Sequence, residues 1–396
     1  MDQPKEFCGV IGIYGHPEAS EMVYLGLYSL QHRGQEGAGI VSSDGERVYQ
    51  HVGQGLVNDV FSNREIIEKL KGKLAIGHNR YSTTGSDNKN NVQPILVNSK
   101  DGPLALGHNG NLVNSRALRR ELEEEGAIFQ TTADSEIFVH LIARSQKKEL
   151  IPRIKEALKQ VKGAYSLVMM TQNKLIAARD SRGFRPLALG AFHGGYVVAS
   201  ETCAMDLIDA KYLREVEPGE ILVIDENGIQ SESIGKNEKC SHCIFEFIYF
   251  SRPDSRIFCE YVDKTRRKLG KRLAEEHPAK ADIVIAVPDS SNTAALGYSN
   301  QSGIPFELGL IRNHYIGRTF IQPQQMIRHF NVKVKFNPVG GVLKDKKVVV
   351  VEDSIVRGTT LKILTQVIRK AGAKEVHIRV SSPPIRFPCY YGIPIP

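Results

Sequence analysis

The stretch Val348–Thr360, VVVVEDSIVRGTT, restricts what this chain can fold into more than any other. Four consecutive valines read as a strand buried on both faces, the kind found in a parallel sheet. Two acids follow, Glu352 and Asp353, and then a loop with Arg357, Gly358, Thr359 and Thr360. Beyond it Leu361, Leu364, Val367 and Ile368 fall on one helical face, and Gly372 offers a C-cap. In an open α/β sheet, ligands bind at the carboxyl ends of strands. The free N–H groups of a helix N-terminus suit a phosphate, and threonine hydroxyls add donors. Two carboxylates beside a phosphate suit sugar hydroxyls and a divalent cation instead. No lysine follows Gly358, which excludes a Walker P-loop. A core strand followed by an ordinary capped helix would have no use for the acids. The stretch therefore reads as a site for a phosphorylated sugar.

It resembles the phosphoribosyl-pyrophosphate (PRPP) motif of type I phosphoribosyltransferases. Its SIVRGTT ending is similar to the glutamine-dependent amidophosphoribosyltransferase family. The surrounding pattern agrees from Asp282 onward. It predicts strands at Ile283–Val287, Phe306–Ile311 and Val376–Val380, with a helix at Asn292–Asn300, as in a doubly wound parallel sheet. The resemblance implies that the Pro288-Asp289-Ser290-Ser291 loop holds pyrophosphate. Ser290 would approach a Mg²⁺ ion, with Ser291 and Asn292 nearby. Arg312 to about Lys335 is long, polar and Gln-rich, which reads as a lid. The family implies that Arg312 and Arg318 meet the pyrophosphate there. Glu352 and Asp353 would hold the ribose hydroxyls and the metal, with Arg357, Gly358, Thr359 and Thr360 completing the PRPP site. Many members carry Asp-Asp where this chain has Glu352-Asp353, a change that keeps the charge.

Residues 8 to about 225 read differently, as many strands with few helices, an α+β pattern without βαβ alternation. Polar islands interrupt them: Cys8, Gln31–Gln35 (QHRGQ), Gly77–Gly85 (GHNRYSTTG), Gly107–Leu112 (GHNGNL) and Thr131–Glu136 (TTADSE). The pattern places each where the chain leaves a sheet, where function concentrates. Singly they are weak. Cys8 alone suits a small buried hydrophobe, and Asp134 alone suits a helix N-cap.

In order, these islands resemble the class II, N-terminal-nucleophile glutamine amidotransferase domain, which opens with Cys-Gly and carries QHRGQ, HNGN and a Thr-Asp-Ser-Glu-like run. The resemblance implies an αββα glutaminase fold and a propeptide at 1–7, removed to free the α-amine of Cys8. The chemistry requires such a base. A thiol with a pKa of about 8.5 is mostly protonated at neutral pH, whereas an α-amine titrates near 7.7–8.0 within reach of its own side chain. Arg80 and Asp134 would bind glutamine's α-carboxylate and α-amine, and Arg33 would lie near the same pocket. Asn109 and Gly110 would form an oxyanion hole.

Asp225–Lys239 (DENGIQSESIGKNEK) is polar and weakly patterned, which predicts a linker. It divides the 396 residues into a glutaminase domain at 8–235 and a phosphoribosyltransferase domain at 236–396. Ile244–Phe250 reads as a strand. The net charge of +8 suits phosphate ligands, since no basic cluster interleaves with aromatics as nucleic-acid binding would need. With no apolar run of about eighteen residues and no signal peptide, the expected setting is cytoplasmic, without a membrane. The six cysteines are too sparse for a disulfide framework.

The resemblance is strongest to an iron–sulfur branch. Cys243 and Cys389 match two of four expected [4Fe–4S] ligands. A closing C-x-x-C is not reached, so the sequence reads as C-terminally truncated. The branch also implies purine nucleotides as inhibitors and a homo-oligomer, dimer or tetramer. Two other readings share features of this chain. One is an amidotransferase that aminates a different acceptor, and the other is a non-enzymatic PRPP sensor. The PRPP motif opposes the first, and the intact glutaminase islands oppose the second.

Overall fold

A computed structural model describes residues 8–81, 89–192, 194–235, 238–313, 336–356 and 358–392. The expected propeptide, Arg318 with most of the expected lid, and Arg357 lie outside the described residues.

The first half stacks two antiparallel sheets. One has seven strands in the order Lys211–Glu215, Ala188–Phe192, Gly195–Ala199, Gly9–Tyr14, Leu74–Arg80, Gly37–Ser43, Val48–Gln54. The other has six, in the order Gly228–Ser233, Glu220–Asp225, Leu175–Arg179, Gly163–Met170, Gly102–Leu112, Ile95–Ser99. Side-chain alternation along each strand builds the layers. Val10 points between the sheets toward Val168 and Ala177. Ile11 and Ile13 point the other way, onto Val23 and Leu27 of helix Ala19–Ser29. In the second sheet Val168 and Met170 face the first sheet. Leu167 and Met169 face helices Glu136–Arg144 and Leu150–Gln160. The result is the expected αββα stack.

The second half contains a three-stranded parallel sheet, Ile283–Ala286, Lys347–Glu352, Glu375–Val380. The valine strand is central and buried on both faces, as its composition predicts. Val348 and Val350 pack with Leu364 and Ile368, while Val349 and Val351 pack with Ala294, Ala295 and Tyr298. Helix Thr359–Lys370 follows, and Gly372 turns the chain at φ +99°.

Four expectations are corrected. Ile244–Phe250 is not a strand. Glu246–Phe250 is a π-helical turn closed by the Ser251 N–H donating to the Glu246 carbonyl. The turn serves Glu246, a carboxylate inside an apolar run, by aiming it inward at arginines. The Asp225–Lys239 linker contains an edge strand, Gly228–Ser233, paired along Glu220–Asp225. Its outer face is solvated, so its sequence lacks apolar patterning. Phe306–Ile311 is a single parallel bridge at Phe306 followed by a short antiparallel pair, Leu310–Arg312 with Phe336–Pro338. Finally, HNR and HNGN lie within strands Leu74–Arg80 and Gly102–Leu112, not in loops beyond them. The facing sheet and helices bury these strand ends, so polar residues there do not signal solvent.

Candidate active site

The Cys8 centre forms where strand Leu74–Arg80 and strand Gly102–Leu112 end side by side. Cys8, Arg80, Tyr81, Gln93, His108, Gly110, Asp134 and Ser135 are among the residues that line one small cavity. The Cys8 sulfur lies 3.5 Å from both the Tyr81 N–H and the Tyr81 carbonyl. Burial pushes the Cys8 thiol up to about 11. The thiol is therefore protonated near neutrality, and it needs a base before it can attack.

Gly34 explains the glycine of QHRGQ. A Cβ there would sit 2.7 Å from backbone carbons of both Asn79 and Arg80. Only glycine lets the loop press against the strand carrying Arg80. Gly110 is required for the same reason, since a Cβ would fall 1.9 Å from the Ala164 carbonyl oxygen. Asn109 lies one residue earlier, fully buried, and its side-chain amide has no hydrogen-bond partner among the described residues. Such a group is costly unless a ligand satisfies it. Asn109 stands behind the cavity rather than among the residues that line it.

Asp134 accepts from the Leu112 N–H at 2.8 Å. It does not cap the following helix, whose N-cap residue is Ser135 and makes no side-chain capping bond. Its carboxylate is turned into the cavity instead.

Arg33 does not line the cavity. It is fully buried behind Cys8, and its Nε donates to the Cys8 carbonyl at 3.1 Å. Its Nη atoms donate to Glu201 at 2.5 Å and to both Glu246 oxygens at 3.0 and 2.9 Å. Glu201 also accepts from the Arg252 N–H and the Ser255 hydroxyl. Burial alone would raise the Glu201 carboxyl, but His32 and Arg33 hold it well below the usual carboxylate range. Glu246 and Glu201 were not legible as site residues. The one signal for Glu246 is a lone charge in FEFIYF.

The second centre lies at the carboxyl end of the valine strand. Asp353 is buried and accepts from the Ser290 and Ser354 hydroxyls, each at 2.5 Å. Burial pushes its carboxyl up from its ordinary value, and the hydroxyl donors oppose the shift. Ser291 is buried, while Ser290, Glu352, Thr359 and Thr360 are half-buried. Gly358 takes φ +75° immediately before helix Thr359–Lys370, so the loop turns back over the helix N-terminus. Arg312 pairs with Asp289 at 2.5 Å. Among the sequence-predicted residues that are described, direct contacts join Ser290 to Asp353, and Arg312 to Asp289 of the same loop. Among the described residues no three His, Cys, Asp or Glu side chains gather to hold a metal ion.

Residues 78–206 match the family model of a glutamine amidotransferase domain, and residues 260–382 match that of a phosphoribosyl transferase domain. An amidophosphoribosyltransferase of Bacillus subtilis is 54% identical over 389 residues, covering 98% of this chain and 82% of that protein. The chain belongs to the amidophosphoribosyltransferase family. A chloroplastic amidophosphoribosyltransferase of Arabidopsis thaliana is 53% identical, covering all of this chain and 70% of that protein. A solved glutamine PRPP amidotransferase from B. subtilis, complexed with ADP and GMP, superposes with a TM-score of 0.93. It is 54% identical, covering 98% of this chain and 84% of that one. Both centres of this amidophosphoribosyltransferase family member fall within or beside the matched domains. No helix among its described residues is long and apolar enough to cross a membrane.

Proposed function

We propose that the Cys8 centre releases ammonia from glutamine and the Asp353 centre receives it. The chain is a glutamine-dependent pentosyltransferase of purine biosynthesis, transferring glutamine's amide nitrogen to PRPP with loss of pyrophosphate. The observation that supports the division of labour best is the small cavity that Cys8, Arg80, Gly110 and Asp134 line together, next in sequence to the buried Asn109 amide, which has no hydrogen-bond partner among the described residues. That amide is a donor kept for an oxygen that develops charge only during reaction.

Cys8 attacks the side-chain amide carbon, and the carbon–nitrogen bond breaks to release ammonia and leave a glutamyl thioester on the sulfur. Water hydrolyses that thioester to free glutamate and the thiol. With thiol protonation favoured by burial, the base is the α-amine of Cys8, freed by removal of residues 1–7. Arg80 and Asp134 meet the substrate's α-carboxylate and α-amine through charge-assisted bonds. Arg33, whose donors are committed to Cys8, Glu201 and Glu246, positions the nucleophile from behind and does not touch glutamine. The domain boundary falls near 235–236, after the edge strand Gly228–Ser233.

At the second centre Ser290, Ser291, Gly358, Thr359, Thr360 and Arg312 bind the phosphates, joined by Arg318 and Arg357, and Glu352 and Asp353 hold ribose hydroxyls. Two carboxylates fit Mg²⁺, because this ion keeps waters and substrate oxygens in its octahedron and needs few protein ligands. Ser290, Glu352 and Asp353 would hold it, and it would neutralise charge on the departing pyrophosphate. Purine nucleotides would compete at this centre, a reading supported by the ADP and GMP bound to the B. subtilis relative. A homo-oligomer remains part of the proposal.

Cys243 and Cys389 line a cavity of about 480 Å³ with Phe245, Phe387 and Tyr391. Burial raises the Cys243 thiol, with Cys389 close enough to add to the shift. Cys240 instead contacts His242. The described residues therefore offer two of the four thiolates that a [4Fe–4S] cluster takes. Ligation by these two is proposed, and no catalytic step depends on it. Iron and sulfide analysis of Cys243→Ser tests it; unchanged iron content would remove Cys243 from the ligand set.

Cys8→Ser tests the two-centre reading. Glutamine-dependent activity should be lost while ammonia-dependent phosphoribosylamine synthesis persists. Equal loss of both would overturn it.

A further inference from the structure

Behind Asp134 lies a closed ring of buried polar groups that the reaction as described does not use. The His108 backbone N–H donates to Gln93 Oε1 at 2.8 Å. Gln93 Nε2 donates to Ser135 Oγ at 3.0 Å. Ser135 Oγ lies 3.0 Å from His108 Nδ1, and His108 Nε2 lies 3.3 Å from the Ala164 carbonyl. His108, Gln93 and Ser135 are each no more than 5% exposed.

The directions of these bonds fix the state of the ring. A carbonyl only accepts, so His108 Nε2 carries a hydrogen. Ser135 Oγ accepts from Gln93 and keeps its own hydrogen to donate, for which Nδ1 at 3.0 Å is the acceptor in this ring. Every donor then meets an acceptor when His108 is the neutral Nε2–H tautomer. A second ring proton would turn the Ser135 hydrogen away into a buried site with no acceptor in this ring. Burial also lowers the His108 pKa from its ordinary value. The ring is wedged edge-on against Phe138, with centroids 5.3 Å apart.

Asp134 Oδ1 sits 3.7 Å from His108 Nδ1, and Asp134 Oδ2 is held by the Leu112 N–H. The carboxylate therefore packs on an imidazole that contributes no compensating charge. A protonated histidine here would form an ion pair and compete with an incoming ammonium group.

We propose that His108 is a positioning residue for glutamine selection: as the neutral Nε2–H tautomer, locked by Ser135 and Ala164, it fixes Asp134 without neutralising it, so that the carboxylate reads the substrate's α-ammonium. This rests on the reading of Asp134 as the ligand of that amine. His108 touches no reacting atom. The sequence feature that carries the idea is the pairing of His108 in HNGN with Ser135 in TTADSE, two islands 27 positions apart.

The test uses the full mature enzyme with His108→Gln and, separately, Ser135→Ala. Ser135→Ala leaves the imidazole in place and removes the hydroxyl that pairs with Nδ1 and accepts from Gln93. Ammonia-dependent synthesis serves as the folding control. Competitive inhibition of glutaminase by L-glutamate and by glutarate, which lacks the α-amine, gives a ratio that reports amine recognition. Both variants should raise the KM for glutamine about tenfold with kcat changed less than about twofold. Both should reduce the preference for glutamate over glutarate about tenfold. An unchanged preference, or a loss in kcat at constant KM, overturns the proposal. Asp134→Asn separates the two levels. If it leaves the glutamate preference intact, the Asp134 reading itself falls. If it abolishes the preference while His108→Gln does not, only the His108 inference falls.

Discussion

Around Cys8, every side chain assigned to glutamine or to its support is buried: Arg80, His108, Asn109 and Asp134 are between 0% and 6% exposed. Among the described residues assigned to the Asp353 centre, that carboxylate and Ser291 are buried, and Glu352, Ser290, Thr359 and Thr360 are half-open. The difference follows the two substrates. Glutamine is small, and its amide carbon must be held against Cys8 and an oxyanion donor, so a small buried pocket with fixed donors serves the chemistry. PRPP is large and polyanionic. Its phosphates need a wide approach, and backbone N–H groups at a helix N-terminus can meet them without burial. One half holds its charged groups in a buried pocket, and the other presents them half-open.

Four substitutions would break or sharpen that contrast, taken from the largest expected effect downward. Glu246→Gln removes a carboxylate from the buried cluster that joins Cys8 to the second half through Arg33. Leaving Arg33 underpaired should cost about 3–5 kcal/mol, measured as a fall in chemical-denaturation midpoint. A loss below about 1 kcal/mol would mean the cluster is not the rigid support argued here. Gly110→Ala drives a Cβ into the Ala164 carbonyl and displaces the Gly110 N–H. Glutamine-dependent kcat should fall about 10²–10³-fold, with the ammonia-dependent rate as control. A wild-type rate would sink the buried-pocket half of the contrast.

Ser290→Ala tests the open half. It should raise the KM for PRPP about tenfold, with a stability change under about 1.5 kcal/mol, because the position is half-open and water can replace the hydroxyl. A large stability loss would show the second centre to be as preorganised as the first. His78→Gln addresses acid sensitivity. His78 is wholly buried between the sheets, and burial pushes its imidazole down to about 3 from an ordinary value near 6.5. A depressed folded-state pKa contributes stability that is full above the unfolded value and lost as pH falls from 6.5 toward 3. The variant should flatten that fall, read as denaturation midpoints at pH 5 and pH 7.5. A slope identical to wild type would assign acid sensitivity elsewhere.

Much of the second half was legible because its chemistry and its fold occupy one continuous stretch. The run from Val348 to Thr360 writes strand, acids, loop and helix in order, and the structure keeps that order. The first half was legible as a set of islands but not as an arrangement. HNGN and the end of GHNR read as loops because polar residues ordinarily mark solvent, yet they lie in strands whose ends are covered by a second sheet and by helices. Asp134 reads as a cap from its neighbours alone, and its carboxylate is in fact held by Leu112 and turned toward the cavity.

By itself the sequence determined which groups are present and the local rules they obey. Those include the valine strand buried on both faces, the polar islands in their order, and the phosphate-ready helix start after Gly358. Only the tertiary structure decided what each buried charge faces. Arg33 meets Glu246 across 213 positions, and His108 meets Ser135 and Ala164. No periodicity encodes such pairings. Hydrophobic patterning fixes faces and registers, whereas the partner of a buried polar group depends on which distant segment the packed layers bring within hydrogen-bond reach.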